Sequence, residues 1–260
     1  MNKHHLSAAI FDHHQIEDKF FSSISQMHAH ISEHVRAYVT GLGTYALNFL
    51  LVTDGHMKTE EALKMAIRLM DENVSVPFGI FAVEPDSKTL EVIQQAGFVP
   101  DPDSTTTAMR LDLANWQMSE GAFLAYEIRN VDHCLADWAT PIESAFETGN
   151  ILSGQYQACH QAALDVGKCL QHYALYVDGQ PLCALTLSKV DNIVRLDDIG
   201  TVVGKQGKGY ASALINYVLH EAKQYGAGAC YLDASHDGNA LYQRIGFKPL
   251  FEYQGFIRES

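Results

Sequence analysis

Clustered positive charge is what this chain has least of. Its 260 residues hold 18 Lys and Arg against 31 Asp and Glu, a formal net charge of −13. Neutralising a phosphate backbone takes grouped Lys and Arg, so this composition excludes a nucleic-acid surface and leans toward a cationic partner such as an amine. No apolar stretch is long enough to span a bilayer, and no hydrophobic signal run opens the sequence, so neither a membrane role nor export is expected. Cysteine is sparse. The five residues, odd in number and without paired spacing, fit reduced thiols in a cytoplasmic setting. Low-complexity tracts are absent. What is present is a 47% hydrophobic chain, sufficient for one large domain or two of ordinary size.

Histidine is the exception to this plainness, with 13 residues, of which seven fall in the first 34. His30 and His34 stand at i, i+4, a ligand spacing on a helix. No His-Glu-x-x-His pattern and no nearby cysteine accompanies them, so the expectation is surface histidines on an N-terminal helix and no metal. Cys134, Cys159, Cys169 and Cys183 read as small buried hydrophobes.

The informative segment is Gln206-Gly207-Lys208-Gly209-Tyr210-Ala211. Ile193 to Val203 reads as a strand before it. After it, Ala213, Leu214, Tyr217, Val218 and Ala222 recur at helical spacing. A glycine-rich turn feeding a helix N-terminus is an anion site, because unpaired N–H groups point outward and the helix dipole adds about half a positive charge. Gly207 and Gly209 let the backbone approach a phosphate closely. A Walker loop needs Ser or Thr where Gly209 stands, and a dinucleotide fingerprint needs glycine where Ser212 stands. Neither applies.

The pattern Gln/Arg-x-x-Gly-x-Gly/Ala is complete as Gln206, Gly209 and Ala211, and here the chain resembles the GNAT superfamily of acetyl-CoA-dependent N-acyltransferases. The segment Asn239-Ala240-Leu241-Tyr242-Gln243-Arg244-Ile245-Gly246-Phe247 looks like that family's second coenzyme-contacting motif. The order of elements from about Gly121 onward is similar too. A strand spans Phe123 to Arg129 and a helix Ala136 to Phe146. A hairpin follows, Tyr173 to Val177 and Leu182 to Leu187 about an Asp178-Gly179 turn. After the Ile193 strand and its helix to Tyr225 come a strand at Cys230 to Ala234 and a short helix capped by Gly246. A strand pair runs from Phe247 through Phe256. The resemblance implies an α/β fold (an α+β mixed sheet) of two GNAT-like domains, each a mixed, mostly antiparallel sheet flanked by helices. Domain boundaries are expected at 1–118 and 119–260.

The N-terminal half repeats the pattern without the chemistry: strand at Tyr45 to Val52, helix at Thr59 to Asp71, strand at Phe78 to Val83, helix at Lys88 to Gln95, strand at Thr107 to Leu113. Gly97-Phe98-Val99-Pro100 matches Gly246-Phe247-Lys248-Pro249 in form. Its turn, Thr53-Asp54-Gly55-His56-Met57-Lys58, has one glycine and an aspartate that repels phosphate. It resembles the degenerate N-terminal domain of tandem GNAT proteins, with a structural role.

By resemblance, acetyl-CoA is the co-substrate. Thr201, Val202, Val203, Gln206, Gly207, Lys208, Gly209, Tyr210, Ala211, Ser212, Asn239 and Tyr242 would hold it, with the strand-end backbone supplying donors at a bulge. Acetyl transfer to an amine needs an oxyanion donor, a proton acceptor and an acid near the departing sulfur. Tyr242 is the candidate acid, the alternative being a packed core tyrosine. Asn239 either binds the pantetheine arm or caps its helix. Asp197 is the candidate base because it shares strand parity with Thr201 if no bulge precedes, a water chain being the alternative. His236 and Asp237 either touch substrate or form a polar loop. The expected function is direct acetyl transfer to a small-molecule or peptide amine, or else non-catalytic acyl-CoA binding or protein interaction. Oligomeric state is not legible.

Overall fold

A computed structural model describes residues 3–54, 59–118 and 125–258. Along the chain the helices are α1 (Lys3–Ile24), α2 (Glu60–Asn73), α3 (Ser87–Gln95), α4 (Leu135–Phe146), α5 (Gly149–Asp165), α6 (Tyr210–Gln224) and α7 (Asn239–Ile245). The strands are β1 (Met27–His30), β2 (Val35–Val39), β3 (Asn48–Val52), β4 (Gly79–Val83), β5 (Phe98–Asp112), β6 (Glu127–Asn130), β7 (Leu170–Val177), β8 (Gln180–Val190), β9 (Ile193–Thr201), β10 (Ala229–Ala234) and β11 (Lys248–Arg258). Two compact units result, and neither is continuous in sequence. One gathers Ile24–Ala108, Ala234–Asp237 and Leu250–Ser260, the other Met1–Ser23, Met109–Asp233 and Gly238–Pro249.

In the first unit the strand order is β1-β2-β3-β4-β11-β5. Strands β3 and β4 are parallel, Phe49 opposite Gly79, with α2 as the crossover that parallel pairing requires. Leu63, Ala66, Ile67 and Met70 form the buried stripe of α2 and join Leu50, Ile80, Ile93, Phe98 and Phe256 in one core. At Gly255 an added Cβ would come within 2.4 Å of Ser104 Cβ, so β11 lies hard against β5 there.

In the second unit β6, β7, β8 and β9 form an antiparallel meander. Asp178 and Gly179, at φ 51° and 75°, make the expected two-residue hairpin turn. Helix α6 returns the chain so that β10 pairs parallel to β9, and it buries Ala213, Leu214, Ile215, Val218, Leu219 and Ala222. Helix α4 lies directly over β9: a Cβ on Gly200 would meet Ala145 Cβ at 3.0 Å and Ile142 Cδ1 at 3.1 Å. The β9–β10 register runs from Ala229↔Ile193 to Tyr231↔Arg195, while β9 stays paired with β8 as far as Thr201↔Cys183. The two strands therefore part company beyond Arg195.

Several expectations are corrected. His30 ends β1 and His34 precedes β2, so the pair is not helical. Residues 45–47 are a 3-10 turn ahead of β3. Strand β5 starts nine residues before Thr107, and its Pro100 and Pro102, which lack an N–H, stand at exposed positions. Helix α5 was not foreseen, and the last element is one long strand rather than a strand pair. Phe123 and Gly121, and the 55–58 part of the N-terminal turn, lie outside the described residues.

Candidate active site

Strand β9 ends at Thr201 and α6 starts at Tyr210. Between them Gly204, Gly207 and Gly209 adopt φ of 77°, 74° and 83°, a region that costs a residue with a Cβ about 1–2 kcal/mol. Apart from each glycine and its two chain neighbours, no heavy atom of the described residues lies within 4 Å of the point where any of the three Cβ atoms would sit. Val203 through Gly209 are exposed, and Gly209 is the N-cap of α6 with no side chain to close it. The first-turn N–H groups of Tyr210, Ala211 and Ser212 are thus the ones a helix leaves without intrahelical partners. Gln206 and Lys208 flank the glycines. Open left-handed glycines ahead of an uncapped helix start are a cradle that fits a pyrophosphate and that a Cβ would fill.

The strand end is more occupied than expected. The Val202 N–H donates to Leu182 O at 2.9 Å, and the Val203 N–H donates to Ser144 Oγ at 3.0 Å. Thr201 Oγ1 donates to Cys183 Sγ at 3.2 Å. A hollow of about 670 Å³ opens beside this point, lined by Glu143, Ser144, Glu147, Val202 and Val203 among others. Ser144, on α4, meets the strand end here, a contact that no motif announced.

Helix α7 carries Asn239 and Tyr242. Gly238 holds the cap position, so Asn239 is the first helical residue and not the cap, and its Oδ1 accepts from Gln243 Nε2 at 3.2 Å. Tyr242 is buried, its ring 6.1 Å from Phe247 in a T-shaped contact. Burial foremost, then the Cys183 thiol and the Asp197 carboxylate, push its phenol up, so it stays protonated near neutrality. Core packing and proximity to the Thr201–Cys183 corner are both features of this tyrosine.

Asp197 does not share a face with Thr201. Thr186 pairs with Asp197 and Ala184 with Gly200, so β9 carries one residue more than β8 across this step. Asp198 occupies the bulge at φ 52°. The inserted residue reverses parity, placing Asp197 on the side of Gly200 and removing the reason for choosing it as base. Its carboxylate instead accepts from Arg195 Nε at 2.8 and 3.0 Å, while Arg195 Nη2 donates to Asp233 Oδ2 at 2.7 Å. One buried guanidinium serves two carboxylates. Burial, with help from the Asp198 and Asp233 charges, outweighs Arg195 at Asp197 and raises it to about 8. At Asp233 burial works the same way, but Arg195 and His13 prevail and hold it well below the usual carboxylate range.

The N-terminal histidines are not all on the surface. His13 and His14 are buried on the inner stripe of α1 with Ile16, Glu17 and Phe20. His13 Nε2 lies 2.9 Å from Asp233 Oδ1 and His14 Nδ1 lies 3.1 Å from Glu17 Oε2. The ligand atoms of His13, His14 and Glu17 lie within 4.8 Å of one another. The three- and four-residue spacing of Ala9, His13, Ile16, Phe20 and Ser23 was the sequence signal for this burial. Of the four cysteines expected to be buried, Cys183 is, Cys159 is half-buried, and Cys134 and Cys169 are exposed; Cys230 is buried as well. His236 and Asp237 are exposed. Among the described residues no helix is long and apolar enough to cross a membrane.

Comparison with known proteins follows the same lines. No curated protein matches the sequence. Solved structures do, over nearly the whole chain. A GCN5-related N-acetyltransferase from Kribbella flavida superposes with a TM-score of 0.65 at 11% identity, covering 95% of this chain and 96% of its own. An acetyltransferase of the GNAT family from Novosphingobium aromaticivorans gives 0.57 at 14%, covering 94% and 97%. A tandem GNAT protein of the clavulanic acid biosynthesis pathway gives 0.57 at 14%, covering 85% and 77%. At these identities the likeness shows the fold. The sequence profile of the acetyltransferase (GNAT) family matches residues 135–247, the stretch from α4 to the end of α7 that holds the glycine turn, the strand end and Tyr242. Over that stretch the chain is similar to the acetyltransferase (GNAT) family.

Proposed function

We propose that the chain binds acetyl-CoA at the Gln206–Ser212 turn and transfers the acetyl group directly to an amine, with no acyl-enzyme. The observation that carries this reading is the turn itself: three glycines in the left-handed region, open above, ahead of an uncapped helix. Gly207, Gly209 and the N–H groups of Tyr210, Ala211 and Ser212 would hold the pyrophosphate, with Gln206 and Lys208 beside it. Acetyl-CoA would supply the activated thioester. The Val203 N–H is the strand-end donor a ligand can recruit, since among the described residues it is held by the Ser144 hydroxyl alone. Tyr242, protonated and buried, would hydrogen-bond the departing sulfur. A phenol pushed above 10 would support a thiolate of pKa about 8.5 more by hydrogen bonding than by complete proton transfer. The division at about residue 118, with a structural N-terminal half, belongs to this proposal. So do a cytoplasmic setting and an amine of small-molecule or peptide kind.

Non-catalytic acyl-CoA binding is the second reading, favoured by the fact that the Val202 and Val203 N–H groups already have partners. Two substitutions separate the readings. Gly209→Glu forces a charged L-residue to φ 83°, and calorimetric titration with acetyl-CoA is expected to show binding weakened beyond about 100-fold; retained affinity would sink the site. Tyr242→Phe is expected to leave affinity within a factor of about three and to lower turnover by about 10-fold or more. Wild-type binding without release of free thiol in the presence of amines would select the second reading.

A further inference from the structure

A protonated amine must shed a proton to attack a thioester, and a chain of buried titratable side chains starts at the bulge of β9. Asp198 Oδ1 accepts from Tyr156 OH at 2.7 Å, and its Oδ2 accepts from Thr186 Oγ1 at 2.8 Å. His160 Nε2, on α5, stands 3.7 Å from Asp198 Oδ2 and is a buried atom with no hydrogen-bond partner among the described residues. On its other side His160 Nδ1 lies 2.8 Å from His172 Nε2, on β7. His172 Nδ1 lies 2.8 Å from Asp132 Oδ1, which also accepts the His172 backbone N–H at 2.7 Å. Both rings have side-chain exposure of 0%, whereas Asp198 has 12% and Asp132 has 31%. The chain touches solvent at its two ends and nowhere between.

Hydrogen-bond chemistry fixes the tautomers. Asp132 only accepts, so His172 carries its proton on Nδ1 and receives the His160 Nδ1–H at Nε2. The lone pair of His160 Nε2 is then aimed at Asp198. Trp138 holds both rings, with centroids 4.4 Å from His160 and 5.1 Å from His172, and Tyr156 meets His160 edge-on at 4.6 Å. Among the described residues the other titratable groups close by are Asp197 and Arg195 on β9, Cys159 on α5 and, beside Asp132, Tyr173 on β7; Phe20 of α1 adds an apolar wall.

We propose that Asp198, His160, His172 and Asp132 form a one-proton relay that accepts the proton of the amine during acetyl transfer. The proposal rests on the acetyltransferase reading. The amine N–H bond breaks as an Asp198 O–H bond forms. That proton passes to His160 Nε2 while the His160 Nδ1–H passes to His172 Nε2. The positive charge of the ammonium ends on His172 as an imidazolium beside the Asp132 carboxylate, and the proton returns by the same path to solvent at Asp198 once products leave. No other reactant is consumed. Two rings are needed because burial and the neighbouring His172 hold His160 well below the usual imidazole range, so it cannot keep the charge. Hydrogen bonds from His172 and Asn130 overcome burial at Asp132 and keep it ionised where the charge arrives.

The test uses the full chain and its His160→Gln, His172→Gln and Asp132→Asn variants. Acetyl-CoA affinity is measured first by calorimetry, and wild-type affinity is expected throughout. Failure of the unmutated chain to bind would count against the acetyltransferase reading and not against the relay geometry. Free-thiol release from acetyl-CoA is then followed between about pH 6 and 9 with a diamine, an amino sugar and a lysine peptide as probe amines. The relay predicts kcat lowered about 10²–10⁴-fold near pH 7 with KM for acetyl-CoA unchanged. The deficit should shrink as pH rises and more amine arrives already deprotonated. A loss of equal size at every pH, or no loss, overturns it. A second arm does not need a productive amine: with ¹⁵N-labelled histidine, Nδ1 should be the protonated ring nitrogen of both His160 and His172, and Asp132→Asn should move the ring-nitrogen shifts of both. Movement of His172 alone overturns the relay even where turnover with the probe amines is nil.

Discussion

Single residues decide most of what this site can do. Asp197 and Asp198 are neighbours in sequence, yet the one-residue insertion in β9 sends them to different partners, Arg195 for one and Tyr156 with Thr186 for the other. An acidic pair inside an apolar strand was visible in the sequence; which member faces what was not, because a bulge leaves no period to read. The raised Asp197 has a consequence for stability. Its folded-state value of about 8 lies above the unfolded value of about 3.9, so the native state binds the extra proton more tightly. Stability from this group is therefore full below about pH 4 and is lost as pH rises toward 8. Asp197→Asn is expected to flatten the decline, and urea midpoints at pH 5, 7 and 9 for both proteins check it. A wild-type midpoint that rises over that interval relative to the variant would reverse the sign.

At the scale of elements, legibility followed periodicity and turn chemistry. The β7–β8 hairpin, α6, the left-handed glycine turn and the Gly246 cap at φ 116° stood where the sequence put them, because each depends on local conformational preference. Helix α5 was missed. Its buried side includes Ser153, Tyr156 and His160, polar-tipped residues that do not register as an apolar stripe, although two of them supply the hydrogen bonds at Asp198 and His172. Helix α4 depends on a contact no pattern shows, the close approach to Gly200. Gly200→Val would drive a branched side chain into Ala145, Ile142 and the Pro141 carbonyl, all within 3.2 Å of the first added carbon. A cost of about 1–3 kcal/mol is expected from overpacking, with Ser144 displaced from the strand end at the same time. Chemical denaturation reads the first effect and acetyl-CoA affinity the second; an unchanged midpoint would mean that α4 yields freely.

At the scale of the whole chain, the notable fact is that neither compact unit is a single run of sequence. The unit holding the glycine turn also holds Met1–Ser23, and the other holds Leu250–Ser260. A fragment 119–260 would keep the acetyltransferase motifs but lose α1, leaving Asp233 and Arg195 without His13, and would carry β11 without β4, its antiparallel partner. We expect such a fragment to lack cooperative thermal unfolding, whereas the full chain shows it; a sharp transition in the fragment would refute this. The same interleaving bears on how the protein is made. His13 and its carboxylate partner are 220 residues apart, so at about 5–20 residues per second α1 leaves the ribosome on the order of 10–40 s before Asp233 exists. During that interval its inner stripe is wet, and histidine and glutamate at positions 13, 14 and 17 keep it hydrated in a way that leucines could not. Proteolysis of ribosome-held chains of increasing length should find α1 cleavable until residue 233 has emerged. Cleavage resistance well before that length would show that the helix finds an earlier shelter.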